Sequence, residues 1–165
     1  MPWAVQDIEL GGRVLEVGPG FGATTRALTR RLGRLDVLEL DKRYCERLRV
    51  QLGNRVTVSC GDATAMPYAD GQFSAVLCFT MLHHIPTVAQ QDRAFAEIAR
   101  VLRPGGTFAG TDSLGTGWLF RLIHVGDTLN LVDPEGLPER LSAAGLAVGE
   151  VKRGGRSFRW RARRP

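Results

Sequence analysis

The chain has 165 residues, of which 44% are hydrophobic, and a net charge of +5, values that fit one globular domain. No apolar run approaches the roughly 20 residues of a membrane span, and the N-terminus lacks the basic and apolar blocks of a signal peptide. The three cysteines, Cys45, Cys60 and Cys78, show no metal-ligand spacing. They therefore predict free thiols in a reducing, cytoplasmic setting.

Apolar runs alternate with helical patterns along the chain. The patterns predict helices over 22–32, 42–52, 88–102 and 134–144, and strands over 13–18, 35–40, 55–60, 73–79, 106–112, 146–151 and 157–163. This alternation is typical of an α/β fold, in which helices cover both faces of a mostly parallel sheet. With no internal repeat and no linker, residues 1–165 are expected to form a single domain.

The C-terminus departs from this alternation and holds the excess positive charge. Only five residues, including Gly154 and Gly155, separate the last two strands, which predicts an antiparallel hairpin. Residues 152–165 carry seven basic residues and no acid, so residues 1–151 sum to −2. Because nucleic-acid interfaces spread their basic residues over one face, a solvated basic edge strand is the simpler interpretation. RNA binding by this strand stays an alternative.

Glycines at every second position follow the first predicted strand, in the segment Glu16-Val17-Gly18-Pro19-Gly20-Phe21-Gly22. Such glycines allow a tight turn and let a ligand approach the backbone. Glu16 stands at the end of that strand, and Glu39 ends the next apolar run. Two carboxylates beside a glycine turn suit a ligand that carries an amine and a ribose diol, and they suit a pyrophosphate poorly.

The order of motifs resembles the S-adenosylmethionine-dependent methyltransferases with a Rossmann-like fold, over about residues 13 to 163. Five segments carry the resemblance: 14–22, 37–41, 61–63, 73–77 and 97–106. Dinucleotide-binding enzymes have a glycine motif of the same kind, so this motif alone does not identify the family. The ordered set of five segments together with the terminal hairpin is specific for it. The resemblance implies a Rossmann-like, seven-stranded, mostly parallel sheet. It also implies S-adenosylmethionine as cofactor and S-adenosylhomocysteine as product.

The resemblance assigns roles to residues around the glycine turn. Gly18, Gly20 and Gly22 would pass under the methionine part of the cofactor. Glu16 would orient the turn and the cofactor's amino group; alternatively, it is a strand-end acid that bonds nearby amides. Glu39 would accept hydrogen bonds from both ribose hydroxyls.

Further cofactor contacts follow from the next motifs. Asp41 is a second candidate for the ribose, although capping of helix 42–52 is the favoured alternative. Asp62 would accept a hydrogen bond from the adenine amino group, and the Ala63 amide would donate one to a ring nitrogen. Alternatively, Asp62 only forms a turn or a cap. Phe79, at the end of the fourth strand, would lie near the cofactor or belong to the core.

Catalytic and acceptor-binding residues are less defined. His83 and His84 are candidates for a general base. Because adjacent residues point in different directions, at most one of them faces the site. A structural or capping role is the alternative. No cluster at ligand spacing predicts a metal. An amphipathic helix from Trp118 to Asn130, with Trp118, Leu122 and His124, is a candidate wall of the acceptor pocket or part of the core.

The acceptor class is inferred by comparison with nucleic-acid enzymes. Similar methyltransferases that act on RNA or DNA amino groups carry Asn-(Leu or Pro)-Pro-Tyr after the fourth strand, where this chain has Cys78-Phe79-Thr80-Met81. We therefore expect a small-molecule O, N or C nucleophile as acceptor. Alternatives are an S-adenosylmethionine-binding protein with little catalysis, and an RNA methyltransferase that uses the Arg-rich strand.

The family usually carries one or two lid helices before the first strand, whereas only residues 1–12 precede it here. We expect the lid to be short or missing. Either the site is more open, or a second copy of the chain covers it, or the sequence begins downstream of a natural start.

Overall fold

The computed structural model describes residues 5, 10–32, 34–115 and 129–165. Among these residues, seven strands and four α-helices follow in the order β1 (Val14–Val17), α1 (Ala23–Leu32), β2 (Leu35–Glu39), α2 (Lys42–Leu52), β3 (Val56–Cys60), β4 (Phe73–Phe79), α3 (Val88–Val101), β5 (Leu102–Ser113), α4 (Leu137–Ala143), β6 (Ala147–Arg153) and β7 (Ser157–Arg163). Short 3-10 turns span Gly53–Arg55 and Leu82–His84. None of the helices described is long and apolar enough to cross a membrane.

The strands form one sheet in the order β3-β2-β1-β4-β5-β7-β6. Strands β1 to β5 run parallel, and β7 is antiparallel to both β5 and β6. This confirms the predicted α/β fold with its terminal hairpin. The prediction of a basic edge strand is wrong, because β7 lies inside the sheet and β6 forms the edge. Periodicity shows which side chains of a strand are buried, but it does not show which strands flank it.

The central strands are buried on both faces. Every residue of β1, β2 and β4 is buried, as expected for parallel strands with helices on both sides. Helices α1 and α2 contribute Leu28 and Leu48 to one half of the core, and α3 contributes Phe95 and Ile98 to the other. The hairpin adds Trp160, which is fully buried, to the α3 side.

The helix and strand ends differ slightly from the predicted ones. Thr87 caps α3 by accepting the Gln90 N–H at 3.2 Å, as its sequence predicts. Helix α4 begins at Leu137 rather than at residue 134, because Asp133 accepts the Glu135 N–H in a turn that precedes the helix. Strand β5 begins at Leu102, four residues before its predicted start.

Cys45 and Cys60 are joined as a disulfide, with 6.1 Å between their Cα atoms. The prediction of free thiols is therefore wrong for these two residues, which lie on α2 and at the end of β3. They are 15 residues apart, and only the packing of α2 beside β3 brings them together. Cys78 is free, as predicted, and it is buried within β4.

Candidate functional site

The glycine turn leaves β1 at the carboxyl edge of the sheet, which is where open parallel sheets bind their ligands. Gly18, Gly20 and Gly22 have positive φ angles of 66°, 53° and 74°, a region that residues with a Cβ rarely adopt. The Gly18 N–H donates to the Leu38 carbonyl at 2.8 Å. The turn is therefore anchored to the neighbouring strand β2.

Two of these glycines also lack space for a side chain. A Cβ at Gly18 would lie 2.1 Å from Cγ of Met81, and a Cβ at Gly22 would lie 2.6 Å from Cδ2 of Leu48. No atom lies within 4 Å of the corresponding position at Gly20. The turn is thus held against the segment after β4 on one side, and it is open to a ligand beside Gly20.

Glu39 connects β2 to the glycine turn. Its Oε2 accepts the Gly20 N–H at 2.9 Å and its Oε1 accepts the Asp41 N–H at 3.0 Å, and the residue is 7% exposed. Because each carboxylate oxygen can accept more than one hydrogen bond, both oxygens keep capacity for ligand hydroxyls. Glu39 therefore combines two features of a diol site, a fixed carboxylate and a position directly beside the glycine turn.

Glu16 lies within β1 as a buried acid without a complete set of partners. Within the described residues its Oε2 has no hydrogen-bond partner, and the residue is 1% exposed. Burial raises the pKa of its carboxyl from 4.5 to about 7. A ligand that brings a positive charge or an N–H donor to this place would satisfy the carboxylate, so Glu16 and Glu39 together fit a cationic ligand that also carries a diol.

The Asp41 carboxylate is bonded within the chain. Its Oδ1 accepts the Arg43 N–H at 2.8 Å and caps α2, and its Oδ2 pairs with the Arg43 guanidinium at 2.6 Å. These hydrogen bonds hold the pKa of Asp41 below its usual value. The geometry favours the capping alternative and leaves Glu39 as the carboxylate at the turn.

Asp62 and Ala63 lie in the loop after β3, beside Glu39. The Gly61 N–H donates to the Glu39 carbonyl at 2.9 Å, so this loop is attached to the end of β2. Asp62 is exposed, and its Oδ1 accepts the Thr64 N–H at 2.8 Å in a turn. Its second oxygen and the Ala63 amide remain the adenine-binding candidates of the sequence prediction.

Strand β4 ends with a core residue, Phe79, and a constrained backbone conformation follows at Thr80. Phe79 is 8% exposed and packs in the core on the side of α1 and α2, which favours the core alternative for this residue. Thr80 is the non-glycine residue with positive φ, at 49°, in the described part of the chain. Its N–H donates to the Thr111 carbonyl of β5 at 2.8 Å. The chain therefore stays bonded to β5 at Thr80 and leaves the strand through a constrained backbone conformation just before the histidines.

The two adjacent histidines have different environments. The Nδ1 of His83 makes a hydrogen bond with Oδ1 of Asp112, and His83 is buried, whereas His84 is exposed. No sequence motif identified Asp112 as a site residue. Its only signal was an acid near the carboxyl end of a buried strand, in the run Gly110-Thr111-Asp112-Ser113.

Three predicted acceptor-pocket residues, Trp118, Leu122 and His124, lie outside the described residues. Across the ranges that are described, no group of three or more His, Cys, Asp or Glu side chains could hold a metal ion.

The basic C-terminal residues are partly used within the chain. Arg159 pairs with Glu150 at 2.9 Å, and Arg161 lies 3.9 Å from the same carboxylate. Arg164 donates to the Arg100 carbonyl at the end of α3 at 2.9 Å. These contacts reduce the charge that the terminal segment could offer to a polyanion.

Comparison with known proteins identifies the family. The family model described as a methyltransferase domain matches residues 15–110, more than half of the chain. The methyltransferase GfsG of Streptomyces halstedii is 34% identical over an alignment of 122 residues that covers 68% of this chain and 42% of that protein. A ribosomal RNA small subunit methyltransferase A of Cupriavidus metallidurans is 47% identical over 55 residues, 33% of this chain and 20% of that protein. The chain thus spans less than half the length of these curated relatives.

Solved structures share the fold. Phosphoethanolamine N-methyltransferase 2 of Haemonchus contortus, in complex with S-adenosyl-L-methionine, superimposes with a TM-score of 0.78 at 18% identity. The match covers 97% of this chain and 50% of that one. At this identity the likeness shows the common fold alone.

Proposed function

The chain belongs to the family of S-adenosylmethionine-dependent methyltransferase domains, and on that premise we propose that the protein transfers the cofactor's methyl group to a small-molecule acceptor. One arrangement carries the proposal: Glu39 fixes the glycine turn through Gly20 at 2.9 Å, and the buried carboxylate of Glu16 lies beside the same turn.

Each residue of the site would contact a different part of the cofactor. Glu39 would accept the ribose hydroxyls, and Glu16 would take the positively charged amino group. Asp62 and the Ala63 amide would contact the adenine from the loop that is attached to Glu39. Among the sequence candidates, Asp41 is supported least, because Arg43 occupies its carboxylate.

The protein's contribution to the reaction is mainly alignment. The bound cofactor supplies a methyl group that its sulfonium makes electrophilic. The glycine turn would hold the methionine part of the cofactor and Glu39 its ribose, and the segment after β4, in contact with Gly18 through Met81, would form the adjacent wall. Positioning of two reactants in line with exclusion of water accounts for most of the acceleration in such a transfer.

A small-molecule acceptor is favoured over RNA on two observations. The segment after β4, Cys78-Phe79-Thr80-Met81, lacks the Asn-Pro-Pro-Tyr type of motif that would hold a base amine. Arg159 and Arg161 contact Glu150, which reduces the charge that β7 offers to a polyanion. The local similarity to a ribosomal RNA methyltransferase covers only 33% of the chain, so it adds little about the acceptor.

Turnover tests the proposal directly. The protein would be incubated with S-adenosylmethionine and a panel of phenolic, quinone and amine acceptors, and S-adenosylhomocysteine would be measured. We expect product with at least one small acceptor and none with RNA. Tight cofactor binding without any turnover would favour the alternative of a binding protein. Product with RNA alone, lost at high salt, would favour the RNA alternative.

A further inference from the structure

We propose that His83 is the general base of the methyl transfer, that Asp112 is its positioning residue, and that the acceptor is therefore a hydroxyl compound. This inference rests on the proposed function, since it concerns the acceptor of the same reaction. It is carried by the geometry of the two side chains, by the turn that holds His83, and by their place beside the glycine turn.

The Asp112 carboxylate is surrounded by donors from His83 and from its own strand. Its Oδ2 accepts the His83 backbone N–H at 3.1 Å, and its Oδ1 accepts the Ser113 N–H at 2.7 Å. The same Oδ1 contacts the ring Nδ1 of His83. An ionised carboxylate can only accept, so the ring must donate from Nδ1. That places the basic lone pair of a neutral imidazole on Nε2.

The backbone of the histidine turn is held from a second side. The Asn130 N–H donates to the His83 carbonyl at 2.8 Å. Gln91 of α3 is fully buried and donates from Nε2 to the carbonyls of Leu82 at 3.0 Å and Asn130 at 2.8 Å. Asn130 also donates from Nδ2 to the Ile85 carbonyl at 3.1 Å. A ring fixed through both its side chain and its backbone has the preorganisation that a general base needs.

The pair lies at the cofactor edge of the sheet. His83 follows β4, Asp112 is near the end of β5, and these strands are neighbours with Phe79 opposite Thr111. Met81, two residues before His83, contacts Gly18 of the glycine turn. The side chain of His83 is 3% exposed, so bulk water is largely excluded from the imidazole. The His83–Asp112 pair therefore lies after β4 and near the end of β5, at the sheet edge that also carries the glycine turn.

The proposed step removes the acceptor's proton and transfers the methyl group. The acceptor hydroxyl loses its proton to Nε2 of His83 while its oxygen forms a bond to the methyl carbon. The bond between that carbon and sulfur breaks, and its electron pair stays on sulfur, which becomes a neutral sulfide. His83 becomes an imidazolium that Asp112 stabilises, and it later releases the proton to water.

This chemistry selects among acceptor classes. A hydroxyl with a pKa near 10, as in tyrosine, is a weak nucleophile until it loses its proton, so a base accelerates its attack. Carboxylates and thioethers carry no proton to remove, and a neutral amine attacks through its lone pair. A fixed histidine base is therefore of greatest use with an alcohol or a phenol.

The test is a series of ring-substituted phenols whose pKa values run from about 10 down to values below neutral. We compare the full chain with His83→Ala and Asp112→Asn, and with Asp70→Asn, an exposed acid that pairs with Arg100, as control. For the least acidic phenols we expect kcat to fall about 10²–10⁴-fold in the first two variants. The loss should shrink toward the phenols that are already ionised, and Asp70→Asn should resemble the parent.

Several outcomes overturn the inference. An equal loss across the series would mean that the pair only supports the fold, and no loss would mean that it has no part in the transfer. A protein that binds S-adenosylmethionine in calorimetry but methylates no phenol or alcohol also defeats the inference, while the cofactor assignment stands. A folded protein that does not bind the cofactor defeats the proposed function itself.

A measurement independent of turnover checks the role of Asp112. Nitrogen-15 NMR of histidine-labelled protein, assigned with His83→Ala, reports which ring nitrogen carries the proton. We expect the neutral ring of His83 to be protonated at Nδ1, and Asp112→Asn to reduce this preference. A ring protonated at Nε2 in the unchanged protein would contradict the assignment of Nε2 as the proton acceptor.

Discussion

Replacement of Glu16 by glutamine should alter how the stability of the protein depends on pH. Glu16 is fully buried in β1, and its pKa is raised from 4.5 to about 7 by burial. Between these two pH values the folded protein keeps a proton on Glu16 that the unfolded chain has released. The free energy of unfolding must therefore fall as the pH rises through this range, and stay level above about pH 7.

The magnitude follows from the size of the shift. One pKa unit corresponds to about 1.4 kcal/mol, so Glu16 lowers the free energy of unfolding by about 3 kcal/mol at pH 8 relative to pH 4. The glutamine of the Glu16→Gln variant cannot ionise and lacks this contribution. The difference in unfolding free energy between the two proteins should thus move by about 3 kcal/mol in favour of Glu16→Gln across this range.

Denaturant unfolding of both proteins at several pH values between 4 and 8, without cofactor, measures this difference. All other ionisable groups contribute equally to both proteins and cancel. A difference that stays constant with pH would refute the assignment of Glu16 as a buried acid that is protonated below neutral pH. A difference that moves in the opposite direction would indicate that the folded protein stabilises the carboxylate form.

The same acid should couple cofactor binding to proton release. The positive charge of bound S-adenosylmethionine favours the ionised carboxylate, so binding should release a fraction of a proton near pH 6 and little at pH 9. Calorimetric titrations in buffers with different ionisation enthalpies measure this release. Release that persists unchanged in Glu16→Gln would assign the proton to another group.

Three substitutions test the packing of the glycine turn and of the core. Gly18→Ala should weaken S-adenosylmethionine binding at least tenfold in calorimetry, because its φ is +66° and its Cβ would lie 2.1 Å from Met81. Gly110→Ala should lower the free energy of unfolding by about 3 kcal/mol, since its Cβ would lie 2.0 Å from the Cys78 carbonyl oxygen. Trp160→Ala removes a fully buried side chain and should lower the free energy of unfolding, measured with denaturant, by about 3–5 kcal/mol. Unchanged affinity or stability in any of these variants would contradict the packing described for that residue.

Local sequence patterns predicted the features that depend on neighbouring residues. The glycine turn, the position of Glu39 at the end of β2, and the Thr87 cap each depend on a few consecutive residues. The terminal hairpin was also predictable, because a gap of five residues cannot hold a crossover helix. In each case the physical cause is local, so the sequence alone contains the necessary information.

Features that depend on strand order and packing were not predictable from these patterns. The pairing of Asp112 with His83 joins residues 29 apart, and it requires β4 and β5 to be neighbours. The interior position of β7 depends on which strand pairs with β5. The Cys45–Cys60 disulfide requires α2 to pack beside β3. Periodicity describes which face of an element is buried, but it does not specify which residues meet across elements.

The most direct test of the central claim is calorimetric titration of S-adenosylmethionine into the protein and into its Glu39→Ala variant, with Asp41→Asn as comparison. We predict micromolar binding that Glu39→Ala weakens by roughly 1.5–3 kcal/mol, the scale of hydrogen bonds to a charged group. Asp41→Asn should change it little, because Asp41 is occupied with Arg43. The absence of binding by the folded protein, or an equal affinity for Glu39→Ala, would contradict the cofactor site described here.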